Sequence, residues 1–541
     1  MMATDVSAPV TGHAIDEERK KLKKVLHRFD LVFFTIAAFI SLDTIALTAA
    51  YGLGQTFVWL AFLIIVYLIP YGMIIAEMGS AFPVEGGPYA WVRMAFGRLA
   101  GSYTAVIYWG SNPVWIGGTL AATCVAAINS LILPKGQPMS TGWSIVVGLV
   151  IVWVTVMLSM IEMKYGKWTG IIGTIVRLLT LFIFLALVAV FLVQNGKPEG
   201  TIVVSDLKPT LLGFLAVIGL LQFMFVGFEL SSGAAEEMTD PQKDVPKMVL
   251  RSGLIAAAIT GSMILGVLLV LNGDALSSVA GFPDAYKAVA KVLGGAQTAF
   301  NWFICALIIL TIISAGGVWQ QGGVRIQAVA GLDGAAPLWF GKFSKQGTPL
   351  TMNILSAIIG SIFVVLVFLI AEGSLKTFFG IMVSVIISLT AMMYIFQIPA
   401  VILLRKKYPD HHRPFKVPGG PVFLWLCVIG AETIVIITII TLLWPGLLDN
   451  ALGQPYDIMY WWGVSRVYFE TVTLGIVGFF LLLAVVFWAV GKRNIKKGLI
   501  GENDLLAIDP EIAKADGSLA AAQTSPAAPA ASPAAPASEE A

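Results

Sequence analysis

Two carboxylates fall where a hydrocarbon environment makes them costly. Asp43 lies in the apolar run from Phe29 to Tyr51, and Glu229 in the run from Leu211 to Ala235. A charged side chain at the centre of a bilayer costs about 2.5–3.5 kcal/mol even on lenient insertion scales. Acids kept at such depth face a bundle interior or a water-filled cavity, where they bind a cation, carry a proton or close a structural ion pair. Arg177, about 8 residues into a later run and so about 12 Å deep at 1.5 Å per residue, is the obvious counter-charge. Trp319 stands in the stretch Ala315-Gly316-Gly317-Val318-Trp319-Gln320-Gln321-Gly322-Gly323. An indole face attracts an ammonium or guanidinium by cation–π interaction, although it may equally pack beside the glycines.

The elements that must position these residues follow from hydropathy. The 541 residues are 57% hydrophobic and 12% charged, with mean hydropathy +0.86, which excludes a soluble domain of this length. Apolar runs predict about twelve membrane spans, near 29–51, 56–80, 99–132, 143–161, 169–193, 210–235, 248–272, 297–330, 351–371, 374–404, 421–444 and 467–490. Spans three and eight exceed the length needed, so tilt or a break is expected. With both termini on the cytoplasmic side, alternation leaves 25 basic residues inside and 7 outside, in accord with the positive-inside rule. Asp43 and Glu229 then lie on spans one and six, which open the two halves of the chain, where a carrier built from repeats holds its site.

Other chemistry finds no support in the sequence. Cys124, Cys305 and Cys427 lie in apolar spans and read as small buried hydrophobes. His13, His27, His411 and His412 lie outside the spans, and no spacing suggests a metal site or implies a cofactor. No phosphate-binding Walker sequence, His-Glu-Xaa-Xaa-His motif or Gly-Xaa-Ser-Xaa-Gly elbow occurs, so ATP-driven pumping and membrane-embedded hydrolysis are not expected. The net charge of +2 comes from residues spread over short loops and forms no nucleic-acid face. No cleavable leader is expected at the polar, basic N-terminus. The Ala/Pro/Ser-rich tail from about 507 reads as disordered and solvated, with a docking segment as the alternative.

Four stretches carry a family resemblance. They are Glu77-Met78-Gly79-Ser80-Ala81-Phe82-Pro83 with Gly86-Gly87-Pro88-Tyr89-Ala90-Trp91; Gly227-Phe228-Glu229 with Glu236-Glu237-Met238 and Pro241-Gln242-Lys243-Asp244-Val245-Pro246; Arg325 with Asp333-Gly334-Ala335-Ala336-Pro337 and Gly347-Thr348-Pro349; and Arg413-Pro414-Phe415-Lys416-Val417-Pro418-Gly419-Gly420. In this order the chain, over about 29–490, resembles permeases of the amino acid–polyamine–organocation superfamily. The resemblance implies an all-α membrane protein with two five-helix inverted repeats, spans one to five (29–195) and six to ten (210–404), then peripheral spans eleven and twelve (421–490). A cytoplasmic segment 1–28 and a cytoplasmic tail 491–541 flank them. Helices one and six are expected to be broken near the midplane, freeing backbone groups and aiming helix dipoles at a substrate.

Residue by residue, the resemblance implies a substrate site from Ser41, Leu42, Asp43, Thr44, Phe223, Gly227, Phe228, Glu229 and Trp319, with Asn112 added from span three. Gly227 permits unwinding. Phe223 stands where relatives carry an aromatic gate, and Trp319 where antiporters stack substrate; both phenylalanines also admit a plain packing role. Span one departs from the family. Where many members carry Gly-Ser/Thr-Gly to hold a carboxylate, this chain has Ser41-Leu42-Asp43-Thr44, which favours an amine. Arg177 stands where several proton-coupled members carry a lysine and sodium-coupled ones an ion. It is expected to act as a fixed cation bridging spans one, five and eight, leaving proton coupling to Asp43 or Glu229; a snorkelling arginine is the alternative. The charges of 236–244 are expected to form inner-gate ion pairs with Arg93 or Arg325, or to be solvated. The implied function is secondary transport of an amino acid or related amine across the plasma membrane, by proton coupling or exchange. Its partners are a small-molecule substrate, the lipid bilayer and protons, with no nucleic acid. A polyamine permease is the near alternative, and a transport-derived sensor or channel the distant one.

Overall fold

The computed structural model describes residues 42–500 together with Phe33 and Ile36, apart from 162, 196–197, 199–207, 228, 231, 233–237, 239, 273–274, 277–278 and 371–374. Most of the 1–28 segment's neighbouring span one, and the tail beyond 500, therefore lie outside the described residues. Among the described residues the spans are helical except at two interruptions. Among the described residues, ten helical stretches are long and apolar enough to cross a membrane, and the shorter apolar helix Leu211–Phe223 joins them as the start of span six. A bilayer interior offers backbone groups no water, so a spanning segment closes its hydrogen bonds internally as a helix.

The spans run close to their expected limits. Span two is Gly52–Ala81, span three Arg98–Leu131 and span four Thr141–Ser159. Span five is Met163–Asn195, span seven Pro241–Val270 and span eight Gln297–Leu332. Span nine is Leu350–Ile370; span ten is Leu375–Met392 followed by Tyr394–Lys407; span eleven is Gly420–Leu443; and span twelve is Arg466–Lys496, which carries helix beyond the expected limit at 490. Span eight runs 36 residues without interruption. That is about 54 Å against a hydrocarbon core of about 30 Å, so one end stands outside the core. Span three instead contains a wide turn at Ile116–Leu120, just after Pro113, which lacks the N–H that the helix would use. Span two contains a matching wide turn at Ile64–Leu68, before Pro70.

Two helices are interrupted. In span one, Leu42–Thr44 is a buried non-helical stretch before the short helix Ile45–Ala49. In span six the helix ends at Phe223, and the chain turns through Gly227, whose φ of 120° suits glycine alone, to Leu230. Irregular backbone at this depth is tolerated where protein surrounds it, and Leu42, Asp43, Thr44, Val226 and Glu229 are all buried.

Ion pairs tie the family stretches together at one end of the bundle. Glu77 takes a two-pronged contact from Arg405 (2.7 and 2.6 Å), faces Arg413 at 3.5 Å, and accepts the Val417 N–H at 2.7 Å. Glu85 pairs with Arg325 at 3.3 Å, both nearly inaccessible, and Arg325 also donates to the Gly347 carbonyl. Asp333 is held by Tyr89 (2.5 Å), Arg93 (3.0 Å) and Arg98 (3.4 Å). Arg93 thus pairs with Asp333 of the third stretch, and Arg325 of the third stretch with Glu85, between the two parts of the first. Of the 236–244 charges expected to meet them, Glu236 and Glu237 lie outside the described residues, and exposed Asp240 pairs with its neighbour Lys243. The buried Arg325 and Glu85 require each other, whereas a local i,i+3 pair suffices for the solvated Lys243.

Removing one partner of a buried pair leaves an uncompensated charge and costs about 3–5 kcal/mol. Glu77→Ala is therefore expected to lower the melting temperature of the purified protein in detergent far more than exposed Asp240→Ala. Equal melting temperatures for the two variants would contradict the assignment.

Candidate functional site

One face of span three organises the site. Tyr108, Asn112, Trp115 and Thr119 recur at spacings of four, three and four, which places them in a single stripe of a helix. All four are buried. Thr119 falls within the wide turn, which shifts the stripe's end relative to an unbroken helix.

The stripe reaches three parts of the expected site. The Trp115 indole N–H (3.1 Å) and the Thr119 hydroxyl (2.9 Å) donate to Oδ2 of Asp43, in the break of span one. Asn112 Nδ2 donates to the carbonyl of Trp319 at 3.0 Å. Tyr108 donates to Oε1 of Glu229 at 2.5 Å. Rings close the spaces between these contacts. Trp319 stacks on Tyr108 at 6.0 Å and meets Trp115 edge-on at 6.2 Å, and Trp115 meets Phe223 edge-on at 6.3 Å. Such geometries suit the aromatic quadrupole, negative at the face and positive at the edge. The result is an aromatic wall running between two carboxylates.

The two acids are held differently. Glu229 accepts three phenolic hydrogen bonds: from Tyr71 on span two (2.5 Å), Tyr108 on span three, and Tyr394 at the turn that divides span ten (2.9 Å). Hydrogen bonds to a charged group contribute about 1.5–3 kcal/mol each, so three of them offset the cost of placing a carboxylate in the bilayer. They also use most of its roughly four acceptor sites. Oδ2 of Asp43 accepts from the Trp115 indole and the Thr119 hydroxyl, both of span three.

Glycines of span eight let the walls approach. A Cβ on Gly323 would stand 2.1 Å from Asn112 Nδ2, and one on Gly322 would stand 2.2 Å from Leu230. Gly322 and Gly323 are thus explained by close contact with the broken part of span six and with span three.

The structure brings Asp43, Asn112, Phe223, Glu229 and Trp319 together, with Leu42 and Thr44 buried beside Asp43 and Gly227 beside Glu229. Ser41 and Phe228 lie outside the described residues. Arg177 belongs to a neighbouring cluster. It is fully buried and donates to the carbonyls of Ile36 on span one (3.2 Å) and Thr311 on span eight (3.4 Å). Thr174, one turn earlier, donates to the carbonyl of Phe33, and Ser314 to that of Thr169. Spans one, five and eight therefore meet at a side-chain cation that holds backbone oxygens.

Sequence reasoning missed Tyr71, Tyr108, Tyr394, Trp115 and Thr119. A signal existed for the tyrosines: tyrosine favours membrane interfaces, so one in mid-span asks for a polar partner. It also passed over Glu432, in the middle of the run 421–444, which the criterion applied to Asp43 and Glu229 would have found.

A helical membrane bundle with two interrupted helices around buried acids and aromatic rings defines a solute permease. The chain matches the amino acid permease family over residues 26–464 and belongs to it. An uncharacterized transporter of Legionella pneumophila is 30% identical over 405 residues, covering 74% of this chain and 85% of that protein. The probable agmatine/putrescine antiporter AguD of Lactococcus lactis is 28% identical, covering 88% and 96%. The branched-chain amino acid permease BcaP of Bacillus subtilis is 27% identical, covering 76% and 87%. The protein is a multi-pass membrane permease for amino acids or amines.

Gly323→Ala is expected to displace Asn112 from the Trp319 carbonyl and lower the melting temperature. Gly475→Ala, in open space on span twelve, gains helix propensity of about 1 kcal/mol and should leave it unchanged or raised. A Gly323→Ala protein as stable as Gly475→Ala would show that the close approach is unimportant.

Proposed function

We propose that the protein is a secondary transporter, not an enzyme, that binds a protonated amine at Asp43 and moves it by alternating access. The observation that carries this reading is the pairing of Asp43 with the aromatic wall of Trp115, Trp319 and Phe223. A carboxylate attracts an ammonium, and the adjoining ring faces add cation–π attraction of about 0.5–2 kcal/mol. Glu229, with three phenolic donors, is assigned to the machinery that shapes the broken helix six. This division favours one amine-binding acid, and so an amino acid or a singly anchored amine over a substrate needing an acid at each end. Ser41, Leu42, Thr44, Phe228 and Asn112 complete the proposed binding shell.

The proposed cycle rocks one group of helices against the rest, with spans one to five (29–195) and six to ten (210–404) as inverted halves and spans eleven and twelve outside them. The 25:7 basic bias supports cytoplasmic termini in a plasma membrane. Arg177 supplies a permanent positive charge on carbonyl oxygens that a sodium ion would otherwise seek, so we assign the coupling to protons or to exchange.

Purified protein in liposomes, tested with radiolabelled leucine, agmatine and putrescine, is expected to show saturable counterflow with at least one of them. Replacing sodium by choline should leave the rate unchanged, and Arg177→Ala should abolish it. Sodium-driven uptake by the wild type would overturn the role of Arg177. Linear, non-saturating flux would indicate a channel, and binding without flux a sensor.

A further inference from the structure

The helix of span twelve is longer than a bilayer needs. Arg466–Lys496 has 31 residues, about 46 Å at 1.5 Å per residue, against a hydrocarbon core of about 30 Å. Its uncharged stretch runs from Thr471 to Gly491, and the last turns beyond it carry Lys492, Arg493, Lys496 and Lys497. All four cations are exposed.

The two faces of this helix end do different things. Phe487, Gly491 and Ile495, four residues apart and so on one face, pack on the turn that follows span eight. Phe487 meets Phe340 edge-on at 5.0 Å. A Cβ on Gly491 would stand 2.2 Å from the Gly334 carbonyl oxygen, and one on Gly334 would stand 2.7 Å from Ile495. The opposite face is open. Leu482, Val485 and Val486 are exposed on it, and Lys492, Arg493 and Lys496 follow at helical spacing. One face of a single helix therefore passes from apolar to basic over about 9 Å, the rise from Val486 to Lys492. Trp488 lies between, with the Lys492 ammonium 5.0 Å from its ring centroid. Tryptophan favours the depth at which hydrocarbon gives way to headgroups.

The connection between spans eight and nine widens the basic region. Trp339, beside Phe340, is exposed, as are Lys342 and Lys345. The stretches 334–350 and 471–500 contain no acid. Asp333, which precedes the first, is buried and held by Tyr89, Arg93 and Arg98. Glu502 and Asp504, which follow the second, lie outside the described residues.

We propose that the end of span twelve, with the connection beside it, is a docking surface for anionic phospholipid headgroups. Cations close to a membrane surface gain from the negative potential of anionic lipids. A free anion would meet the charges alone. A lipid meets both parts of the open face: its phosphate lies at the depth of Lys492, Arg493 and Lys496, and its acyl chains cover Leu482, Val485 and Val486. Because the other face rests on Gly334 and Phe340, a headgroup held here also fixes span twelve against the turn that ends span eight. The basic bias assigns this end of the bundle to the cytoplasmic leaflet. The surface itself does not depend on what the protein transports.

The test follows the melting temperature of the purified full-length protein in neutral detergent. Phosphatidylglycerol and phosphatidylcholine with the same acyl chains are titrated in parallel. Phosphatidylglycerol should raise the melting temperature more than phosphatidylcholine, and the difference should shrink in high salt, which screens exposed charges. Lys492→Gln combined with Lys496→Gln should raise the phosphatidylglycerol concentration giving half the shift by roughly tenfold. Lys492→Arg combined with Lys496→Arg should retain the wild-type response. Lys243→Gln combined with Lys406→Gln removes two exposed cations elsewhere at the same end and should leave the response unchanged. Equal shifts with the two lipids, the result expected if Glu502 and Asp504 cover these cations instead, would overturn the proposal. So would a salt-independent shift, an equal loss in the Lys243/Lys406 control, or a shift reproduced by glycerol 3-phosphate alone.

Discussion

A carboxylate stays in a hydrocarbon interior only where donors replace its water, and three tyrosine hydroxyls do this for Glu229. The donors come from spans two, three and ten, so one side chain on a broken helix fixes the positions of three others. The break in span six needs Gly227 for its backbone and these tyrosines for its acid. Without the phenols, the carboxylate would favour protonation or a water-filled gap, and the wall that contains Tyr108 and Trp319 would lose its anchor.

Span three converts that anchor into a site. Its stripe of Tyr108, Asn112, Trp115 and Thr119 touches Glu229, Trp319, Phe223 and Asp43 in turn. The two broken helices are related through this third helix. Glu229 is surrounded by donors from three helices, and Oδ2 of Asp43 takes Trp115 and Thr119 of span three.

Much of this was legible in the chain. Hydropathy located the spans to within a few residues, because a bilayer imposes length and composition directly. The breaks in helices one and six were implied by the family resemblance, with Gly227 permitting the second. Arg177 was expected to bridge spans one, five and eight, and its contacts with Ile36 and Thr311 do so. What the chain did not reveal was which distant side chains meet. The tyrosines on Glu229 lie 121 to 165 residues away in sequence, and no local pattern records that separation. For the same reason the pairs of Arg93 with Asp333 and of Arg325 with Glu85 left no mark in the chain.

The account turns on Asp43 as the acid that meets the substrate's amine. The most direct measurement is the ligand-induced rise in melting temperature of wild type and Asp43→Asn, screened against amino acids, amines and their deaminated analogues. A ligand that binds only the folded state raises apparent stability by mass action. The account predicts that compounds with a protonated amine stabilise the wild type, that deaminated analogues do not, and that Asp43→Asn loses the response while remaining folded. An undiminished response in Asp43→Asn would contradict it.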